Sequence, residues 1–72
     1  MSVVKVLELV GESPESWQAA ASSAVAEAAR TLDSITGIEV CNWTATVDAG
    51  RIVQYKANVK VAFVVDPSRR EA

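Results

Sequence analysis

Residues 13–35 read SPESWQAAASSAVAEAARTLDSI, and this stretch decides the fold. Trp17, Ala20, Ala21, Ala24, Val25, Ala28, Leu32 and Ile35 recur at steps of three and four, while Glu15, Gln18, Ser22, Glu27, Arg30 and Asp33 fall mostly on the other side. That spacing predicts one amphipathic helix. Ser13 can accept a hydrogen bond from a free N–H of the first turn, Pro14 suits a position that needs no donor, and Glu15 complements the positive end of the dipole. The helix is therefore expected to start at Ser13. Its apolar stripe is lined mainly by alanine, so a backbone can approach closely, and a curved sheet wrapped around the helix is the expected partner.

On the N-terminal side, Val3–Val10 is rich in β-branched residues and ends at Gly11, the pattern of a strand followed by a turn. Both of its faces are largely apolar. On the C-terminal side Thr36-Gly37 breaks the helical pattern, and Ile38–Val47 begins a run of strand formers. Asp48-Ala49-Gly50 supplies a turn, and Ile52–Val65 continues as a third extended run. There Val53, Tyr55, Ala57, Val59, Val61, Phe63 and Val65 alternate with Gln54, Lys56, Asn58 and Lys60. This is the clearest strand signal in the chain. Asp66-Pro67 ends it and leaves a polar tail over 66–72.

The order is thus β-α-β-β, an α+β arrangement. A crossover through the helix makes the first two strands parallel, so the antiparallel third can lie between them in the order 1-3-2. One helix covers one sheet face; the edges and the second face stay open, and these are natural places for copies of the chain to meet.

Composition limits the function classes. A chain of 72 residues has room for one domain and one small core, here about residues 3–65. Chains of this size usually need disulfides, a metal or oligomerisation. With one cysteine and no histidine, oligomerisation is the expected aid. Cys41 reads as a buried structural thiol. A net charge of −2 and a pI of about 4.9 offer no broad positive field for nucleic acid. Lys5 and Glu8 interrupt the N-terminal valines, so neither a membrane span nor a signal peptide is expected, and the chain reads as cytoplasmic.

No histidine is present to activate a nucleophile, and the nine carboxylates are scattered, so the chain reads as no enzyme. No calcium-loop spacing appears, although carboxylates of several copies could gather a hard cation. Trp17 reads as packing that closes one end of the core. Trp43 shares the alternation of Gly37, Glu39, Cys41 and Ala45. On that parity it faces away from the helix, as an interface anchor or a stacking wall for a planar ligand, unless a bulge reverses it.

Over about residues 3–65 the chain resembles the dodecin family. GESPESW is similar to the family's G-T/S-S opening of the helix; Gly37–Val40, GIEV, looks like its W-x-E-V; and Tyr55–Phe63, YKANVKVAF, looks like Y-Q-x-x-V/L-x-V-x-F. The resemblance implies a homododecameric hollow shell that binds or stores flavin, as FMN or riboflavin, without turnover. In flavin-binding dodecins the tryptophan stacks on the isoalloxazine and the glutamine bonds its polar edge. Here Gly37 stands at the tryptophan position and Lys56 at the glutamine position, while Glu39 and Val40 match. The implied cofactor-binding positions are therefore Gly37, Glu39 and Lys56, with a weakened or lost flavin site. Ser16-Trp17 looks like the tryptophan-free, calcium-dodecin branch, which implies the alternative of a structural or calcium-binding assembly that holds no flavin.

Overall fold

A computed structural model describes residues 3–65; the expected polar tail lies outside them. Four elements follow in order: β1 (Val3–Ser13), α1 (Trp17–Ala29), β2 (Ile35–Asp48) and β3 (Arg51–Val65). β3 pairs antiparallel with both neighbours, and the sheet order is β1-β3-β2, as the crossover argument requires.

The helix is shorter than its pattern suggests. Ser13 is still in β1, opposite Tyr55, and its Oγ accepts from the Glu15 N–H at 3.0 Å. The cap is Ser16, extended at φ −169°, whose Oγ accepts from the Ala19 N–H at 3.0 Å. A serine hydroxyl caps whichever turn tertiary pairing leaves free, and here the sheet claims three more residues than expected. At the other end α1 stops at Ala29, Ser34 turns the chain at φ 61°, and Ile35 opens β2 instead of closing the helix.

Gly11 is also corrected: it is a strand residue, not a turn. A Cβ built there would run into the Ala20 carbonyl oxygen and come to 3.1 Å from the Ala24 Cβ. Glycine therefore lets β1 lie directly on the helix backbone. The rest of the core follows from the same economy of size. Ala20, Ala21, Ala24 and Ala28 of α1 meet Ala57, Val59 and Val61 of β3, with Leu9, Leu32, Ile35 and Val40 partly buried around them.

The hairpin turns through Ala49 and Gly50, both with positive φ (53° and 76°), between the opposed Asp48 and Arg51. Its strands are not in simple register. The pairing shifts between Ile35 and Gly37, between Val40 and Asn42, and between Thr46 and Val47. Cys41 is one of the unpaired residues; on the edge strand it is exposed, not buried.

Candidate functional site

Register decides which side chains share a face, because opposed residues of neighbouring strands project to the same side. Val59 and Val61 lie against the helix, so their even-numbered neighbours Lys56, Asn58, Lys60 and Ala62 project to the open face. Gly37 opposes Ala62; Glu39 opposes Lys60, which opposes Glu8 on its other side; Lys56 lies between Thr44 and Glu12. All three candidate residues, Gly37, Glu39 and Lys56, therefore belong to the face without a helix.

The structure brings two of them together and separates the third. A shallow depression of about 460 Å³ is lined by Val6, Gly37, Ile38, Glu39, Lys60 and Ala62. Its lining is mostly apolar and carries one carboxylate, Glu39, opposite one cation, Lys60; Glu8 of β1 opposes Lys60 on the other side, outside the lining. Lys56 stands four residues back along β3, about 13 Å from Lys60 in an extended strand. It belongs to a different row, beside Glu12, whose Oε1 accepts from Gln54 Nε2 at 3.3 Å. Sequence reasoning passes over Lys60. The two-residue turn at 49–50 counts it opposite Glu39, and the shifts at Thr46/Val47 and Val40/Asn42 cancel, so that count survives.

Between those two shifts it does not. There Trp43 opposes Ala57, a core residue on the helix side. The bulge reverses the expected parity: Trp43 lies on the helix side of the sheet and cannot form a wall for the depression at Gly37, which opens on the other side. It remains 49% exposed. Trp17 is packing with a second role. Its ring meets Tyr55 edge-on at 4.8 Å between centroids and 77° between planes. Its Nε1–H donates to the Thr44 carbonyl at 2.8 Å, tying the helix start to the edge strand.

The residues present do not fit a stacked flavin. Nothing lies within 4 Å of a Cβ built at Gly37, so that side of the depression is open space where a ring would have to stand. A preformed calcium cage is not supplied by one chain either: among the described residues no three histidine, cysteine or carboxylate side chains are grouped to hold a metal ion. Calcium needs six to eight oxygens. The arrangement offers a mostly apolar lining, an ammonium group and two carboxylates on an open face. None of the described helices is long and apolar enough to cross a membrane.

A three-stranded antiparallel sheet half-wrapped around one alanine-lined helix defines the class of small β-α-β-β folds. The sequence model of the Dodecin family matches residues 3–66, and the chain belongs to the dodecin family. It is 35% identical over 69 residues to the calcium dodecin of Mycobacterium tuberculosis, covering 96% of this chain and 97% of that one. A crystal structure of that calcium dodecin, described as a calcium-chelating antigen with a novel calcium-binding site, superposes with a TM-score of 0.79 at 37% identity, covering 97% of this chain and 100% of that one. A single-substitution variant of the Thermus thermophilus dodecin superposes with a TM-score of 0.87 at 32% identity, covering 92% and 97% of the two chains.

Proposed function

We propose that this chain assembles as a homododecameric hollow shell that holds a small ligand or ion without turning it over, and that its flavin site is lost. The observation that carries the reading is the open space at Gly37. An aromatic stack contributes about 0.5–1.5 kcal/mol beyond the area it buries, and neither Gly37 nor Trp43 supplies that ring at the depression. Lys60, with the flanking Glu8 and Glu39, replaces a stacking site with a charged one.

Assembly is supported by the smallness of the core. Seven alanine and valine side chains are buried among the described residues, while Val3, Val4, Val6 and Val10 are all more than half exposed. On the open face the Asn58 Oδ1 is sheltered from solvent without a hydrogen-bond partner, as befits a surface that is completed by something else. The non-enzymatic reading rests on the family and on a chain with no histidine.

A second reading, calcium binding, is favoured by the calcium dodecin relative and by the Glu8 and Glu39 carboxylates on one face. Because one chain does not complete a cage, the ion would be shared between copies. Two measurements test the pair of readings. The purified protein is expected to be colourless and to quench riboflavin or FMN fluorescence at least tenfold more weakly than a dodecin carrying the tryptophan. Tight quenching overturns the loss of the flavin site. Calorimetric titration with calcium should give heat in the parent and little in Glu39→Gln; equal binding by both removes Glu39 from the site.

A further inference from the structure

Strand register sorts the open face into rows that cross all three strands, because directly opposed residues project to the same side. Val6, Ala62 and Gly37 form one row, and Glu8, Lys60 and Glu39 form the next, two residues and about 7 Å along β3. The first row is apolar and the second is charged. Val4 and Val64 continue the apolar surface beyond Ala62. Gly37 hollows that surface, since nothing lies within 4 Å of a Cβ built there. The depression of about 460 Å³ takes lining residues from both rows. Its size falls in the lower half of the range of roughly 300–1,000 Å³ that small-ligand sites occupy.

The lining holds one charge of each sign. Lys60 and Glu39 are both exposed, and opposed residues hold their β-carbons about 5 Å apart. Neither charge is engaged: among the described residues the ion pair is that of Glu27 with Arg30. Coulomb energy falls only as the inverse of distance, so a ligand bearing an anion alone is drawn to Lys60 and repelled by Glu39 from nearly the same range. Glu8, on the other side of Lys60, adds to that repulsion. A ligand bearing a cation alone is drawn to Glu39 and repelled by Lys60. A ligand bearing both charges, one carbon apart, meets an opposite charge at each end.

We propose that the depression takes a small zwitterion with an apolar side chain, of the α-amino acid class, its ammonium against Glu39, its carboxylate against Lys60 and its side chain over Val6, Ala62 and Gly37. The proposal rests on the reading above that this face holds a small ligand in place of flavin. The two rows fix the orientation. The head lies across β2 and β3, where the charges are, and the side chain runs along β3 onto the apolar row. The reverse orientation sets a charged head on apolar surface and leaves Lys60 and Glu39 facing hydrocarbon, so two ions lose water without gaining a partner. Each exposed charge pair contributes at most about fivefold in affinity, and binding is expected on the order of millimolar. Lys60 and Glu39 therefore determine which head group is accepted more than how tightly it is held.

The test is ligand-observed saturation-transfer NMR at neutral pH, which reads weak binding directly, with three probes that share a phenyl ring and differ in the head: L-phenylalanine, phenethylamine and 3-phenylpropionate. The whole protein is expected to hold phenylalanine about fivefold more tightly than either singly charged probe. Lys60→Gln should make phenethylamine the better ligand, and Glu39→Gln should make 3-phenylpropionate the better one. Both substitutions fall on exposed side chains, and the comparison of probes on the parent needs no variant. Equal binding of the three probes by the parent, no transfer to any of them, or an unchanged ranking in both variants overturns the proposal. An FMN fluorescence titration on the same sample separates the two levels of the reading. Weak quenching with no preference for phenylalanine removes only this ligand class, whereas tight quenching removes the loss of the flavin site with it.

Discussion

Gly11→Ala sets two physical effects against each other, and they differ in sign. Glycine inside a strand is entropically unfavourable, so alanine there should stabilise the chain by roughly 0.5–1 kcal/mol. Nothing in the local backbone forbids it, since the positive φ among the described glycines is at Gly50. Tertiary packing opposes it. The new Cβ would be driven into the Ala20 carbonyl oxygen, a backbone atom that cannot rotate away, and would come to 3.1 Å from the Ala24 Cβ. Restoring an ordinary contact requires the helix to retreat by on the order of 1 Å. The groups facing that gap are alanines, with no side-chain length to refill it. Overpacking typically costs about 1–3 kcal/mol when side chains can yield. With the helix itself displaced, the expected net loss is about 3 kcal/mol, out of the roughly 4–11 kcal/mol that a chain of this length holds.

The assay is urea denaturation of parent and variant at equal protomer concentration, because assembly contributes to apparent stability. The midpoint is expected to fall by about 2 M. Gly37→Ala is the internal control: its Cβ meets nothing within 4 Å, so the variant should melt at or slightly above the parent. If Gly11→Ala melts at or above the parent midpoint, β1 does not lie on the helix backbone and the account of the core is wrong.

Three further outcomes are expected. Ser16→Ala should lower stability by about 1 kcal/mol, and by more than Ser13→Ala, because Ser16 is the cap of α1; the reverse order in thermal melts would return the helix start to Ser13. Ala49→Gly should raise stability by about 1 kcal/mol by relieving a left-handed alanine at the hairpin turn, and a lower melting temperature would contradict the observed turn. Gly37→Trp should strengthen FMN binding at least tenfold in a fluorescence titration, whereas Lys56→Gln alone should leave it unchanged, since Lys56 lies outside the depression that Gly37 lines; a gain from Lys56→Gln alone would relocate the site.

Much of the architecture is legible in the residues. The three- and four-residue recurrence of alanine marks the helix and its buried stripe, and the alternation from Val53 to Val65 marks β3 and its core face, because both periods belong to the backbone and need no distant partner. The order 1-3-2 follows from chain connectivity alone. Glu39 opposite Lys60 can be counted from the turn at Ala49-Gly50. The dodecin motifs name the family, and Gly37 at the tryptophan position shows in the amino-acid order itself.

What the sequence could not determine depends on distant pairing. Ser13 and Ser16 have the same capping chemistry, and only the match of Ser13 to Tyr55 assigns the cap to Ser16. Gly11 looks like a turn until the helix carbonyl above it is seen. Trp43 keeps its sequence parity only in a regular ladder; two register shifts of opposite sense, one on each side of it, move that segment by one residue and turn the ring to the helix side without disturbing the pairing at either end. Local periodicity carries no record of such compensated shifts. A one-residue slip reverses every side chain within it, and the tertiary ladder alone decides where the slip begins and ends.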